Sequence, residues 1–486
     1  MTTHVKTLII GTGFAGLGLA TVMKRSGEDD FRIIDRSNDV GGTWRDNRYP
    51  GAACDVPSHL YSFSFRLKHD WSRVFAPATE IWEYLRETAR EEGLLPHITF
   101  NADLVSATWV EEQSHWHVIT TAGEFTADVL VAGMGHLADA KWPAIPGLQD
   151  FSGELMHSAR WDHSVDLTGK RIAVVGSGAS AIQITPAMAE IAGELVVFQR
   201  TAPYVIPRPD RVYTDAEQRM FKRNPELMED LRSDLFWGME YNYAQRRGMP
   251  RSIAEAYAVA NGHREAQVTD PEINAKLIPD YDIGCKRVLI SNVYYPALQQ
   301  DNVTLEASAL AKVEGNVLTS ADGNSFEVDV VVCATGFEAI EPPFGPLITG
   351  RNNQTLADHW AEGMQAYNSI TAAGFPNLFI MNGPNTGLGH NSVLFVVESQ
   401  IEYIREALAF MAATGATVLD TTTEAEDAYV NAVRDRSKGT VWLDGGCSNW
   451  YVDPRTQRLT VTWPDYAYAF REVNGHFIPE GYSAHA

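Results

Sequence analysis

Three features of the sequence predict an α/β fold of two similar parallel-sheet units, the second inserted into a split first. A strand–glycine–helix–strand pattern stands at the N-terminus, the same pattern returns from Lys170, and strand-like runs resume after it. Each element is taken in chain order below.

The first copy, KTLIIGTGFAGLGLATVMKRSG, reads as a strand, then Gly11-x-Gly13-x-x-Gly16, then a helix. A second strand, FRIID, ends at Asp35. The glycines permit a tight turn and close approach of backbone to a pyrophosphate, and the helix N-terminus adds N–H donors and a positive dipole end. Asp35 follows Gly11 by 24 residues, where an acid can bond ribose hydroxyls. Strand, glycines, helix, strand and acid in that order mark a Rossmann-type dinucleotide site, which a bare glycine turn before a core helix does not explain.

The second copy, KRIAVVGSGASAIQITPAMAE followed by GELVVFQR, carries Gly176, Ser177, Gly178, Ala179, Ser180 and Ala181. Alanine is permitted at the third position of the motif. The same offset of 24 residues from Gly176 lands on Arg200, where the first copy has its acid. An acid repels a 2′-phosphate, whereas an arginine binds it through two parallel hydrogen bonds. A solvated strand-end arginine is the plain alternative, and the matched offset favours the phosphate role. One acid-type and one arginine-type site in one chain point to FAD and NADPH.

The remaining segments complete the plan. DVLVAGMGH (128–136) and FEVDVVVCATGF (326–337) read as buried strands that return the chain to the first sheet. KWPAIPGL, with prolines at 143 and 146, reads as a hinge. From about 210 to 282 the chain turns helical, charged and aromatic. There Phe236, Trp237, Tyr241 and Tyr243 form either an apolar pocket or, more simply, a packing stripe. ESQIEYIREALAFMAAT (398–414) is an amphipathic core helix, and the tail EGYSAHA looks unanchored. The expected division is 1–147 and 331–486 for the FAD unit and 148–330 for the NADPH unit, with a helical insertion at about 210–282.

Composition narrows the function classes. A chain of 486 residues accommodates two or three domains. Lys+Arg of 39 against Asp+Glu of 62 gives a net charge of −23, the opposite of a nucleic-acid footprint. Cys54, Cys285, Cys333 and Cys447 are scattered with no CxxC, which argues against a disulfide framework, a cysteine-rich zinc site and a dithiol redox pair; no metal site is expected. The first strand-like run begins at Val5, leaving no room for a signal peptide, and no apolar run approaches a membrane span. A cytoplasmic protein is expected.

The connector FSGELMHSARWD (151–162) has too few apolar residues for a core strand and poor helical spacing. It resembles the F-x-G-x-x-x-H-x-x-x-W-[P/D] fingerprint of type I Baeyer–Villiger monooxygenases, with Phe151, Gly153, His157, Trp161 and Asp162 in the defined positions. GGTWRDNRYPGAACD (41–55) is similar to a further pattern of that family, through Gly42, Trp44, Tyr49, Pro50, Gly51 and Asp55. Arg45–Asn47 depart from the aromatics often found there.

This resemblance implies an enzyme that takes FAD, NADPH, O2 and a small-molecule ketone and makes an ester or lactone through a peroxyflavin. Such a peroxide needs a fixed positive charge that cannot act as an acid. IGCKRVLISNVYYPAL (283–298) matches the family's Lys-Arg pair. Arg287 would hold the oxygenating centre, Asp55 would position Arg287, and Lys286 would join Arg200 and Thr201 at the 2′-phosphate. Gly42, Thr43, Trp44 and Tyr61 would meet the flavin, as would Val393 after the loop NGPNTGLGHNSV. Trp450, in CSNWY, is either a nicotinamide contact or a core aromatic. The family assigns His157 to coupling of domain movement rather than chemistry on substrate. Two rivals remain: a flavin monooxygenase oxygenating nitrogen or sulfur, and a non-enzymatic NADPH-sensing flavoprotein. A pyridine-nucleotide disulfide reductase shares the layout but needs a redox dithiol.

Overall fold

A computed structural model describes residues 2–485. The first sheet has eight strands. Thr3–Ile10 lies at its centre, paired in parallel with Phe31–Ile34 on one side and Gly123–Ala132 on the other. Thr7 to Ile10 are buried without alternation because both faces of the strand are covered. Ile9 and Ile33 face a core built with helices Phe14–Arg25, Ala78–Glu91 and Val393–Thr414, while Leu8, Ile10 and Ile34 face Trp109 and Trp116.

The second sheet has five parallel strands in the order Val303–Glu306, Glu194–Phe198, Arg171–Val175, Val330–Cys333, Glu154–His157. Ile172, Val174, Val330 and Val332 fill one side of it, and Ala173, Val175, Val331 and Cys333 the other. The run 330–333 therefore belongs here and not to the first sheet, correcting the sequence expectation. Val332 pairs with both Val174 and Met156, so this strand fills the slot between two others of its own unit. The strands that do return to the first sheet after the insertion are Ile348–Thr349, on Leu104–Val110, and Leu378–Ile380, on Gly123–Ala132.

Three other expectations change. The connector 151–162 contains a real strand, Glu154–His157, stable with few apolar residues because it is an edge strand. Residues Tyr482–His485 of the tail pair antiparallel with Val418–Thr421. Cys285 and Cys447, 162 residues apart, are joined by a disulfide, whereas Cys54 and Cys333 are free and buried.

The segment 210–282 contains helices Asp215–Arg223, Glu226–Glu240, Pro250–Gln267 and shorter pieces. Its aromatics divide, Phe236 and Tyr243 being buried and Trp237 and Tyr241 exposed. Arg232 fastens it to the first unit by donating to the carbonyls of His59, Leu60 and Ser62. Buried Glu240 accepts from His390, Asn391 and the N–H groups of Ala467 and Tyr468.

The chain crosses between sheets twice, and the crossings lie side by side. Lys141 N–H donates to Gly336 O, Glu338 N–H to Asp139 O, and the Thr335 hydroxyl to Lys141 O. Among the described residues no helix is long and apolar enough to cross a membrane.

Candidate active site

The two glycine turns are superposable in their physics. Gly11 and Gly176 have φ of +103° and +129°, and a Cβ on either would stand 2.6 and 2.5 Å from the carbonyl oxygens of Gly133 and Ala334. The turns differ at the third position. A Cβ on Gly16 would lie 2.0 Å from Gly11 O, whereas Ala181 is accommodated and buried. Gly13 and Gly178 have open space where a side chain would be: the nearest atom to a Cβ on Gly13 is 3.9 Å away, and Gly178 has none within 4 Å.

Between the units lies a cleft of about 1600 Å³. It is lined by Thr43, Trp44, Asp55, Tyr61 and Val393 from the first unit, and by Gly176 to Ser180, Arg200, Thr201, Lys286 and Arg287 from the second. Trp450 lines it from a C-terminal loop, beside Tyr451 and His136. Gly11, Gly13, Gly16, Gly42 and Ala181 are not among the residues that line it.

Arg287 and Asp55 form the ion pair expected of them. Nε and Nη2 both lie 2.7 Å from Oδ2. Burial pushes the Asp55 carboxyl up, but the Arg287 charge and its hydrogen bond outweigh that and hold it below the usual carboxylate range. The Asp55 charge in turn raises Arg287. Arg200 and Lys286 are in no ion pair among the described residues, and burial together with the Arg200 charge lowers Lys286. Ser177 Oγ donates to Thr201 O, closing the glycine turn onto the strand end. The result is a small polar basin with two free cations.

Asp35 is tied into the first glycine turn. Its Oδ2 accepts from the Thr12 N–H and hydroxyl, and its Oδ1 from Ser37 N–H and Arg45. Four donors saturate a carboxylate, and the group is buried outside the cleft. Asp35 ties the glycine turn to the GGTW segment.

The fingerprint residues line none of the cleft. Phe151 and Trp161 are core residues of the second unit. A Cβ on Gly153 would meet Asp329 O at 2.2 Å, and Asp162 caps a turn through Ser164. His157 is buried between Trp142 of the outgoing crossing and Phe337 of the returning one, at centroid distances of 5.4 and 6.3 Å. Its Nδ1 accepts from Ala159 N–H, Nε2 has no partner, and burial brings its pKa down to about 4.

Sequence reasoning missed Gln183, whose side chain reaches from the second unit to Tyr49 OH and Ala53 O of the first. The signal was Gly51: with φ +84° it leaves room for Gln183 O, 2.7 Å from where its Cβ would be.

A profile described as flavin-binding monooxygenase-like matches residues 4–346. The chain belongs to that family. Among its relatives, a Baeyer–Villiger monooxygenase of Streptomyces coelicolor is 44% identical over 470 residues, 96% of this chain and 90% of that protein. Cyclohexanone monooxygenase from Rhodococcus sp. Phi1 bound to NADP+ is 27% identical with a TM-score of 0.88, each chain covered completely. A structure of OTEMO in complex with FAD and NADP is 26% identical with a TM-score of 0.85, again over 100% of both chains. The fold is thus shared with proteins that differ from this chain at most positions.

Proposed function

We propose that the protein is an FAD- and NADPH-dependent monooxygenase that inserts one oxygen atom of O2 next to a ketone carbonyl, giving an ester or lactone. The carrying observation is the Arg287–Asp55 pair at the wall of the same cleft that holds the two free cations, Arg200 and Lys286. The open positions beside Gly13 and Gly178 fit a pyrophosphate at each turn.

Bound FAD would supply the two-electron store that accepts hydride from NADPH and reduces dioxygen. The residues do the rest. Gly11, Gly13 and Gly16 receive the FAD pyrophosphate, while Gly42, Thr43, Trp44, Tyr61 and Val393 border its flavin end. Gly176 to Ala181 receive the NADPH pyrophosphate, and Arg200, Thr201 and Lys286 its 2′-phosphate. Trp450 borders the nicotinamide. Arg287 provides a positive charge that holds its proton, so it stabilises negative oxygen without quenching it. Asp55 orients that guanidinium. A nitrogen or sulfur oxygenase has no use for such a fixed cation, which favours the ketone reading. We divide the chain into an FAD unit around the first sheet and an NADPH unit around the second, with the helical insertion on the substrate side, and place the reaction in the cytoplasm, where NADPH is available.

The test is FAD content of the purified protein, then NADPH consumption with and without a panel of small ketones, with product mass. Ester or lactone heavier than the ketone by one oxygen is expected; S- or N-oxides formed in its place would overturn the reading.

A further inference from the structure

The disulfide lies where the chemistry is. Cys285 directly precedes Lys286 and Arg287, and Cys447 stands in the loop that carries Trp450 and Tyr451. The loop docks on the Lys-Arg segment by backbone as well: Asp282 N–H donates to Gly445 O, and a Cβ on Gly445 would stand 2.8 Å from Cys285 Cβ. Asn449 knits the loop internally, donating to Trp442 O and accepting from Tyr451 and Val452 N–H, with its Nδ2 3.8 and 3.7 Å from the two sulfurs. Cys285 is fully buried, but Cys447 is half-buried and lines the cleft, so small reagents reach it. The other two cysteines are buried and unpaired.

We propose that Cys285 and Cys447 form a thiol–disulfide site that locks the 445–452 wall of the cleft onto Lys286–Arg287 and so sets the affinity for NADP(H). The proposal rests on the reading of this cleft as the NADPH site. Disulfides in the reducing compartments where NADPH is used are usually transient and redox-responsive. The oxidant is hydrogen peroxide, which NADPH oxidation leaves when no oxygen atom reaches a substrate: NADPH, H+ and O2 give NADP+ and H2O2. The Cys447 thiolate attacks one peroxide oxygen, the O–O bond breaks, and the departing hydroxide takes a proton to become water. The Cys285 sulfur then attacks the sulfenic sulfur, the S–S bond forms as S–O breaks, and the second hydroxide leaves with the Cys285 proton as water. Two thiols lose two electrons in all, and the peroxide gains them. A small dithiol reverses the state by exchange, becoming a disulfide itself.

Locking the loop preorganises Trp450 and its neighbours against the coenzyme. The measurement uses the full FAD-loaded protein, with NADP+ as calorimetric probe and cysteine states mapped by differential alkylation and mass spectrometry. After peroxide, the Cys285–Cys447 peptide pair should be found linked with two thiols remaining; after dithiothreitol, four thiols. The NADP+ Kd should rise about five- to tenfold on reduction and return with peroxide, as expected when loop ordering is transferred to binding. Cys447→Ser should show the reduced value in both conditions, and wild type alone decides if that variant fails to fold. Cysteines 285 and 447 that stay free after peroxide would overturn the proposal, as would equal Kd values in two states proven distinct by mapping. Binding of NADP+ to neither state would overturn the coenzyme assignment and the switch together.

Discussion

Arg287 meets Asp55 through one oxygen: Nε and Nη2 both lie 2.7 Å from Oδ2. That leaves Nη1 free of the pair, while the charge of the guanidinium is fixed in place. Arg287→Ala should leave reduction of the flavin by NADPH measurable in anaerobic stopped-flow, though slowed. Ester formation should fall about 100- to 1000-fold, the usual effect of removing one preorganised donor from a developing anion. Arg287→Lys should be badly impaired too, because an ammonium has no planar fork to place two fixed donors on one carboxylate oxygen. Asp55→Ala should give a milder loss. Wild-type ester yield from Arg287→Ala would remove the mechanism.

Arg200 has no ion-pair partner among the described residues and lines the cleft near Lys286. Arg200→Ala should raise the NADPH KM about 10- to 100-fold, the loss of one charge-assisted contact, and barely change that for NADH. Steady-state kinetics with both coenzymes reads this directly.

His157 is neutral in the fold at pH 7, with its pKa near 4 because burial opposes charging. The unfolded chain takes up that proton at about pH 6.5. Its contribution to stability is therefore complete above about pH 6.5 and lost as pH falls towards 4, by about 3 kcal/mol at most. His59 is held down to about 4 in the same way, so part of the acid loss belongs to it. The difference in urea stability between wild type and His157→Gln should vary across pH 4 to 6.5 and be constant above. His157→Gln should keep FAD, with slower coupling of reduction to oxygenation; loss of folded protein would reduce the residue to packing alone.

The two glycine turns make a paired test. Gly16→Ala should fold poorly or lose FAD, because its Cβ has a carbonyl oxygen 2.0 Å away and no side chain to push aside. Ala181→Gly should fold and cost about 1 kcal/mol, the helix propensity difference. Thermal melts with flavin fluorescence distinguish the pair.

Much of this was legible because glycine turns, strand ends and the fingerprint are local patterns. Gly11 and Gly176 announce themselves by spacing, and Arg287 and Asp55 by the motifs that hold them. The run VVVC at 330–333 is buried on both faces, and such a strand reads alike in either sheet; only its register against Met156 and Val174 tells which. The contact of Asp35 with Arg45, in the stretch that departs from the family pattern, was not legible because spacing alone does not bring the two together. The Cys285–Cys447 bond was invisible because 162 residues separate the partners and only tertiary folding brings them together.

The paired crossings at 139–141 and 335–338 have a topological consequence. The polypeptide leaves the first sheet and re-enters it through neighbouring hydrogen bonds, so the backbone of the second unit enters and leaves by a single doorway, while Arg232, Glu240 and Cys285 fasten it elsewhere. A cassette with adjacent ends can be lifted out of its host without stretching either. Bridging Asp139 to Glu338 by a short turn should therefore close the first unit's chain without distorting its path, and would uncover the core face that Tyr213, Met228 and Phe236 now cover.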